Sequence, residues 1–292
     1  MNININIIGY YGHYNIGDEQ YKTSFINLLN TLNIEYTVNF IDCDKLLDTN
    51  INDNDIIILG GGDVLNEYFM NKMINKFKNK PNKIIAVSVG LPYKDILVNS
   101  SKLKILDHIF VRTKQDIDLF KKHFGNNITY IPDISYNLIN NKKKFNNLIN
   151  IKKNKKIIGF ALSRHIYHKD YINEYNNCLN SLCKLIKTLI SQNYHIVFIP
   201  FNTHANSDSE NDILIYNDIL EILKPNFIIN NNKIIHDNYD INITFIKKDL
   251  IVDEIFELFN LLDFCIPMRF HACLFSIYTK TPFLPIRTYF FW

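Results

Sequence analysis

Along the first half of the chain, short apolar runs alternate with longer stretches in which apolar residues recur every three or four positions. Ile3 to Gly9, Tyr36 to Ile41, Asp55 to Leu59, Ile84 to Val89, Ile109 to Val111 and Ile128 to Ile131 read as strands. Glu19 to Leu32, Leu65 to Phe77 and Gln115 to His123 read as helices, the last closed by Gly125. Strands apolar on both faces and separated by helices predict a parallel sheet covered on both sides. From Asn137 to Lys156 the pattern fades into Asn and Lys, as at an interdomain crossing. A second α/β set follows, with strands at Ile157 to Leu162, His195 to Pro200 and Phe264 to Pro267. Its helices lie near Tyr171 to Ser191, Glu210 to Leu223 and Asp253 to Leu262, and Phe227 to Asp249 resists assignment. The expectation is two Rossmann-like doubly wound domains, 1–140 and 156–292, facing across a cleft lined by loops at the carboxyl ends of the strands.

Composition narrows the class. A chain of 292 residues with 47% hydrophobic content supports two ordinary cores. A formal net charge of +3 is too small to indicate nucleic acid, and Lys152 to Lys156 sit among Asn rather than aromatics. The five cysteines are odd in number and have no CxxC or zinc spacing, which points to a reducing, cytoplasmic compartment. No apolar stretch is long enough to form a transmembrane segment, and the N-terminus enters a strand without a signal-like region.

Positive charge is carried almost wholly by Lys. The four arginines, Arg112, Arg164, Arg269 and Arg287, each follow an apolar run. An Arg at a strand end either pairs with a nearby Asp or offers a planar fork to a carboxylate or phosphate. Glycines gather at the same ends: Gly9, Gly12 and Gly17 after the first strand, Gly60, Gly61 and Gly62 after the third, Gly90 after the fourth. Such loops admit a ligand close to the backbone or simply allow tight packing. His165 and His168 beside Arg164 lack a helix-spaced carboxylate, so no metal is expected. Among the aromatics, Tyr10, Tyr11 and Tyr14 sit in a glycine loop where a ring could stack on a sugar face.

Taken in order, these segments carry a resemblance. IGYYGHYNIGDE at Ile8 to Glu19, LGGGDVL at Leu59 to Leu65, AVSVGLP at Ala86 to Pro92, Arg112 with Asp116 beyond it, Pro132 with Asp133, and MRFHA at Met268 to Ala272 are similar to the polysaccharide pyruvyl transferase family. Asn15, Gly17 and Asp18 match its Asn-x-Gly-Asp turn; Arg269 and His271 match its Arg-x-His element. Asp63 stands where a further Gly is common, and Phe270 where Leu is usual. The chain stops at Trp292, where the family continues into a Lys-containing turn and closing helices, so the second domain is expected to be naturally short or cut.

The resemblance implies a GT-B-like fold and transfer of the enolpyruvyl unit of phosphoenolpyruvate to hydroxyls of a saccharide or glycoconjugate as a ketal, with release of phosphate. Phosphoenolpyruvate is the donor substrate, and no cofactor is expected. Such a donor needs two anion clamps and a proton donor. Arg164 and Arg269 are assigned to its two anions, with His271 as general acid and His204 and His165 as further contacts. Tyr14, Asn15, Gly17, Asp18, Gly61, Gly62 and Gly90 are assigned to the acceptor loops. Asp18, read as lying just ahead of a helix, is either its N-cap or a base toward a sugar hydroxyl. Asp133 ranks below the arginines as a hinge or cleft residue. Two alternatives stand. One is a GT-B glycosyltransferase using a nucleotide sugar, with Glu254 or Glu257 on the ribose; the other is a catalytically silent sugar-binding homologue.

Overall fold

The computed structural model describes residues 3–91, 100–125, 127–136, 155–164, 171–204, 208, 210–223, 227–230, 233–236 and 239–286. The chain forms two compact units. Unit 1 comprises Met1–Gly12 and Gly17–Ile139; unit 2 comprises His13–Ile16 and Asn140–Trp292.

In unit 1, β1 (Ile3–Gly9), β2 (Tyr36–Asp42), β3 (Ile56–Gly62), β4 (Ile84–Val89), β5 (His108–Val111) and β6 (Ile128–Tyr130) pair in parallel in the order β2-β1-β3-β4-β5-β6. Alternate residues of the central strands feed two cores, as strand pleating requires. Ile5, Ile7, Ile58 and Val87 pack with Tyr21, Phe25 and Leu29 of α1 (Ile16–Asn30). On the other face, Ile8, Ile57, Leu59 and Ala86 pack with Met70, Met73 and Phe77 of α2 (Glu67–Phe77) and Phe120 of α3 (Lys114–Phe124). Each fully buried Leu, Ile, Phe or Met side chain among these contributes about 1.5–3 kcal/mol.

Three sequence expectations shift here. Helix α1 begins at Ile16, so Gly17 and Asp18 lie inside its first turn rather than ahead of it, and Asp18 is not its N-cap. The acidic pair Asp18 and Glu19 suits that turn, where carboxylates meet the positive end of the helix dipole. Gly60, Gly61 and Gly62 belong to β3 itself. Helix α2 starts at Glu67 instead of Leu65 because the Asn66 side chain caps it, accepting from Phe69 N at 3.2 Å.

Unit 2 contains β7 (Ile157–Ala161), α4 (Ile172–Ser191), β8 (His195–Phe198), α5 (Asp212–Leu223), β9 (Phe227–Asn230), β10 (Lys233–His236), β11 (Tyr239–Phe245), α6 (Val252–Leu261), β12 (Phe264–Pro267) and α7 (Phe270–Thr279). The sheet order is β12-β7-β8-β11-β10-β9. Its first four strands are parallel; β9 and β10 form an antiparallel extension beyond β11. The stretch that resisted assignment is thus three strands. Their Asn, Asp and Lys content hides any clean alternation. Phe160, Ile196 and Phe198 pack with Leu182 and Ile186 of α4 and Ile215 and Tyr216 of α5. Phe201 meets Phe259 of α6 and Phe275 of α7 edge-on, with centroids 5.9 and 5.8 Å away. Among the described residues, no helix is long and apolar enough to cross a membrane.

Candidate functional site

The strand order of unit 2 contains a switch point. From β7 the chain steps to β8 and β11 on one side, then returns to place β12 on the other side of β7. Ligands of open α/β sheets bind where neighbouring strands send their loops in opposite directions, at the carboxyl ends. There Pro267 lies in register with Ala161, and Met268 N donates to Ala161 O at 2.9 Å. Arg164 follows Ala161 by three residues and Arg269 follows Pro267 by two. The fold therefore sets the two arginines expected to clamp a donor in the segments that follow two paired strands.

Arg269 is the N-cap residue of α7. Its Nε donates to Asp212 Oδ2 at 2.9 Å and its Nη2 to Asp212 Oδ1 at 2.6 Å, with a longer Nη2 contact of 3.4 Å to Glu210 O. Asp212 is fully buried and also accepts from Phe201 N at 3.0 Å and Asn202 N at 2.9 Å. Burial pushes its carboxyl above the ordinary aspartate value, opposed by the Arg269 guanidinium and those backbone donors. The pairing uses the Nε–Nη2 edge of Arg269. Among the described residues no bond to Nη1 is found, so that edge has two N–H donors to offer.

Arg164 is held by the same stretch of chain. Its Nη1 donates to Asp208 O at 3.1 Å, and its Nε lies 3.5 Å from Asp218 Oδ2. Tyr175 donates to that same carboxylate oxygen at 2.5 Å. His271, half-buried in the first turn of α7, lies beside Phe270 with ring centroids 5.4 Å apart. His204 N donates to Asn202 Oδ1 at 3.0 Å, and its ring meets His13 edge-on at 5.3 Å. His165, His168 and Arg287 lie outside the described residues, as does most of the Lys152 to Lys156 run.

The proposed acceptor residues divide between the units. Tyr14 and Asn15 group with unit 2, where Tyr14 O accepts from Thr203 N at 3.2 Å and Asn15 bridges to Asn202. Tyr14 has a left-handed backbone, φ 57, and an exposed side chain. Gly17, Asp18, Gly61, Gly62 and Gly90 belong to unit 1. The β1 and β3 loops flank the switch point of its own sheet. Gly62, at φ +90, lies near the Asp18 carboxylate, since a Cβ built on it would be 3.4 Å from Oδ1. Packing accounts for the other two. A Cβ at Gly61 would sit 2.2 Å from the Tyr21 ring, and one at Gly90 would sit 2.2 Å from Asp63 Oδ1.

Arg112 takes the Asp-pairing alternative. It donates to Asp63 at 2.6 Å, to Asp133 at 3.1 Å and to the Tyr21 hydroxyl at 2.9 Å, while Tyr21 donates to Asp133 at 2.8 Å. Ser88 donates to the other Asp133 oxygen at 3.3 Å and accepts from Ile134 N at 3.0 Å. This network, buried at Asp133, Tyr21 and Ser88 and open to solvent at Asp63, joins the ends of β3, β4, β5 and β6.

The family model for polysaccharide pyruvyl transferase matches residues 1–288. The chain belongs to this family. No curated protein matches it significantly. Among solved structures, a putative UDP-N-acetylglucosamine 2-epimerase from Listeria monocytogenes matches with TM-score 0.62 at 10% identity, over 98% of this chain and 80% of that one. The S. aureus MnaA–UDP co-structure matches with TM-score 0.62 at 15% identity, over 98% and 79%. The Neisseria meningitidis UDP-GlcNAc 2-epimerase bound to UDP-GlcNAc matches with TM-score 0.59 at 11% identity, over 98% and 83%. At such identities the likeness shows the fold alone, which is GT-B-like.

Within this pyruvyl transferase family member, sequence reading gave no role to three residues that shape the arginine site, Asp212, Asp218 and Tyr175. Asp218 and Tyr175 lie inside helices whose spacing resembles ordinary amphipathic faces, and His13 lay unremarked in the glycine loop. A carboxylate at the first residue of a helix, just after a strand-end loop, was the available signal for Asp212. Of the carboxylates considered for a ribose, Glu254 is engaged, accepting from Lys248 Nζ at 2.7 Å and Ile251 N at 3.1 Å.

Proposed function

We propose that this protein transfers the enolpyruvyl unit of phosphoenolpyruvate to two hydroxyls of a saccharide or glycoconjugate, forming a pyruvate ketal and releasing phosphate. The observation that carries the reading is the arginine pair at the switch point of unit 2, with Arg269 presenting Nη1 at the start of α7. A small donor with two anionic groups suits two guanidinia, and the N-terminus of a ten-residue helix adds attraction for either group. Family membership supports the same chemistry.

In this reaction two acceptor oxygens bond to C2 of the donor, the C2–O bond to phosphate breaks, and C3 gains one proton. The two hydroxyl protons lost by the acceptor are balanced by the proton gained at C3, which makes the methylene a methyl, and by the proton that leaves on the phosphate oxygen. Arg269 and Arg164 hold the carboxylate and phosphate and stabilise charge on the departing phosphate. His271 donates a proton, either to C3 or to the leaving oxygen. No cofactor takes part.

Calorimetric titration of the full chain with phosphoenolpyruvate and, separately, with a panel of nucleotide sugars tests this. Saturable phosphoenolpyruvate binding that weakens at least tenfold, on the order expected for a charged hydrogen bond, in Arg269→Lys supports it. Lys keeps a charge for Asp212 but lacks the second donor edge. Binding of a nucleotide sugar alone would replace the reading with a glycosyltransferase. Phosphoenolpyruvate binding without phosphate release on any acceptor would leave a silent homologue.

A further inference from the structure

Helix α5 carries a carboxylate for each arginine of the site. Asp212, its first residue, takes the Nε–Nη2 fork of Arg269; Asp218 lies 3.5 Å from Arg164 Nε. The two aspartates are six residues apart, about 9 Å along the helix axis. The segment leading into α5 adds a carbonyl to each guanidinium, Asp208 O to Arg164 and Glu210 O to Arg269. Asp212 is itself fixed by Phe201 N and Asn202 N, and Asp218 by the Tyr175 hydroxyl from α4.

We infer that α5 is the positioning element of the donor site, with Asp212 orienting Arg269, and Asp218, steadied by Tyr175, orienting Arg164; this rests on the donor-site reading above. Stability alone is a weak reason for such an arrangement, because a buried ion pair is commonly no better than apolar side chains of the same volume. Its distinctive product is orientation. Arg269 is gripped along one edge, so its remaining donors face a fixed direction, which lowers the ordering cost of binding a planar carboxylate or a phosphate. Neutralisation also sharpens the test. With an aspartate beside each arginine, net charge contributes little to attraction, and directed N–H groups contribute most. Removing an aspartate makes the site more positive. Simple electrostatics then predicts tighter anion binding, whereas loss of orientation predicts weaker binding.

The sequence has only four arginines, so selective 15N labelling gives a guanidinium Nε–H spectrum of at most four signals. In the ligand-free full chain, Asp218→Asn and Tyr175→Phe are expected to move the Arg164 signal and leave that of Arg112 in place. Asp212→Asn is expected to speed solvent exchange of the Arg269 Nε–H, which donates to Asp212. Calorimetry with phosphoenolpyruvate is expected to show affinity reduced several-fold in both Asp218→Asn and Tyr175→Phe, about the scale of one partly exposed ion pair or one neutral hydrogen bond. Because Asp212→Asn leaves the buried Arg269 charge uncompensated and can unfold the chain, the Asp218 and Tyr175 variants carry the decision. Unchanged or tighter binding in both, with native near-ultraviolet circular dichroism, would overturn the inference. If wild type fails to bind phosphoenolpyruvate while the arginine signals respond as described, the donor reading falls and the hold of α5 on the guanidinia stands.

Discussion

At the scale of single residues, polar bonds at strand ends do most to define both units. Ser88 is fully buried with φ 58, a conformation that disfavours side chains, yet its hydroxyl serves Asp133 and Ile134 N. Ser88→Ala is expected to lower unfolding free energy by about 1–3 kcal/mol, the cost of leaving a buried donor unmet. Ser88→Gly loses the same hydroxyl but relaxes the backbone by about 1 kcal/mol, so urea titration should find it the milder change. Sequence reading singled out Arg164 and Arg269 because Arg is scarce in a Lys-rich chain. It could not name their partners. Asp218 stands among apolar helix positions, and only folded geometry sets it beside Arg164. For Arg112 both alternatives remained open in the sequence, since Asp63 and Asp133 lie 49 and 21 residues away.

Among elements, β3 and β4 show how closely two backbones approach when a strand carries glycine. A Cβ on Gly60 would stand 2.4 Å from Val87 O, which belongs to the neighbouring strand and cannot rotate aside. Gly60→Ala is therefore expected to cost about 1–3 kcal/mol or more and to raise amide exchange along both strands. Gly62→Ala meets the Asp18 carboxylate at 3.4 Å and the Tyr21 ring at 3.6 Å, both ordinary contacts, and its penalty is chiefly the left-handed φ of +90, about 1–2 kcal/mol. Amide exchange in that variant should rise only near Gly62. Most elements were legible because their hydrophobic period was clean: 2 or continuous in the buried strands, 3.6 in the helices. The strands β9 to β11 were not, since their register is set by pairing with β8 and with one another rather than by an apolar face visible in the sequence.

Across the whole molecule, the five cysteines report on both cores. Cys43, Cys183 and Cys265 are buried; Cys178 and Cys273 are partly exposed. Burial raises the thiols of Cys43 and Cys265 to about 12 and that of Cys183 to about 11. Alkylation of the native protein near neutral pH is expected at Cys178 and Cys273 first, with the other three reacting only on unfolding; mass mapping of labelled peptides checks this. A thiol whose folded pKa is raised keeps its proton in the fold and loses it in the unfolded chain. These thiols therefore contribute stability below the ordinary value of 9.0 that is lost as pH climbs toward 12. Thermal unfolding measured between pH 8 and 11 should shift downward, and Cys265→Ala should flatten that slope. The Asp212–Arg269 pair bears on a different pursuit, the selection of heat-resistant variants. Swapping a buried ion pair for apolar side chains is a familiar way to raise melting temperature, but under the donor reading that exchange would erase an anion-facing edge along with the charge. A thermostable descendant that still turns over would have to retain both residues and improve elsewhere.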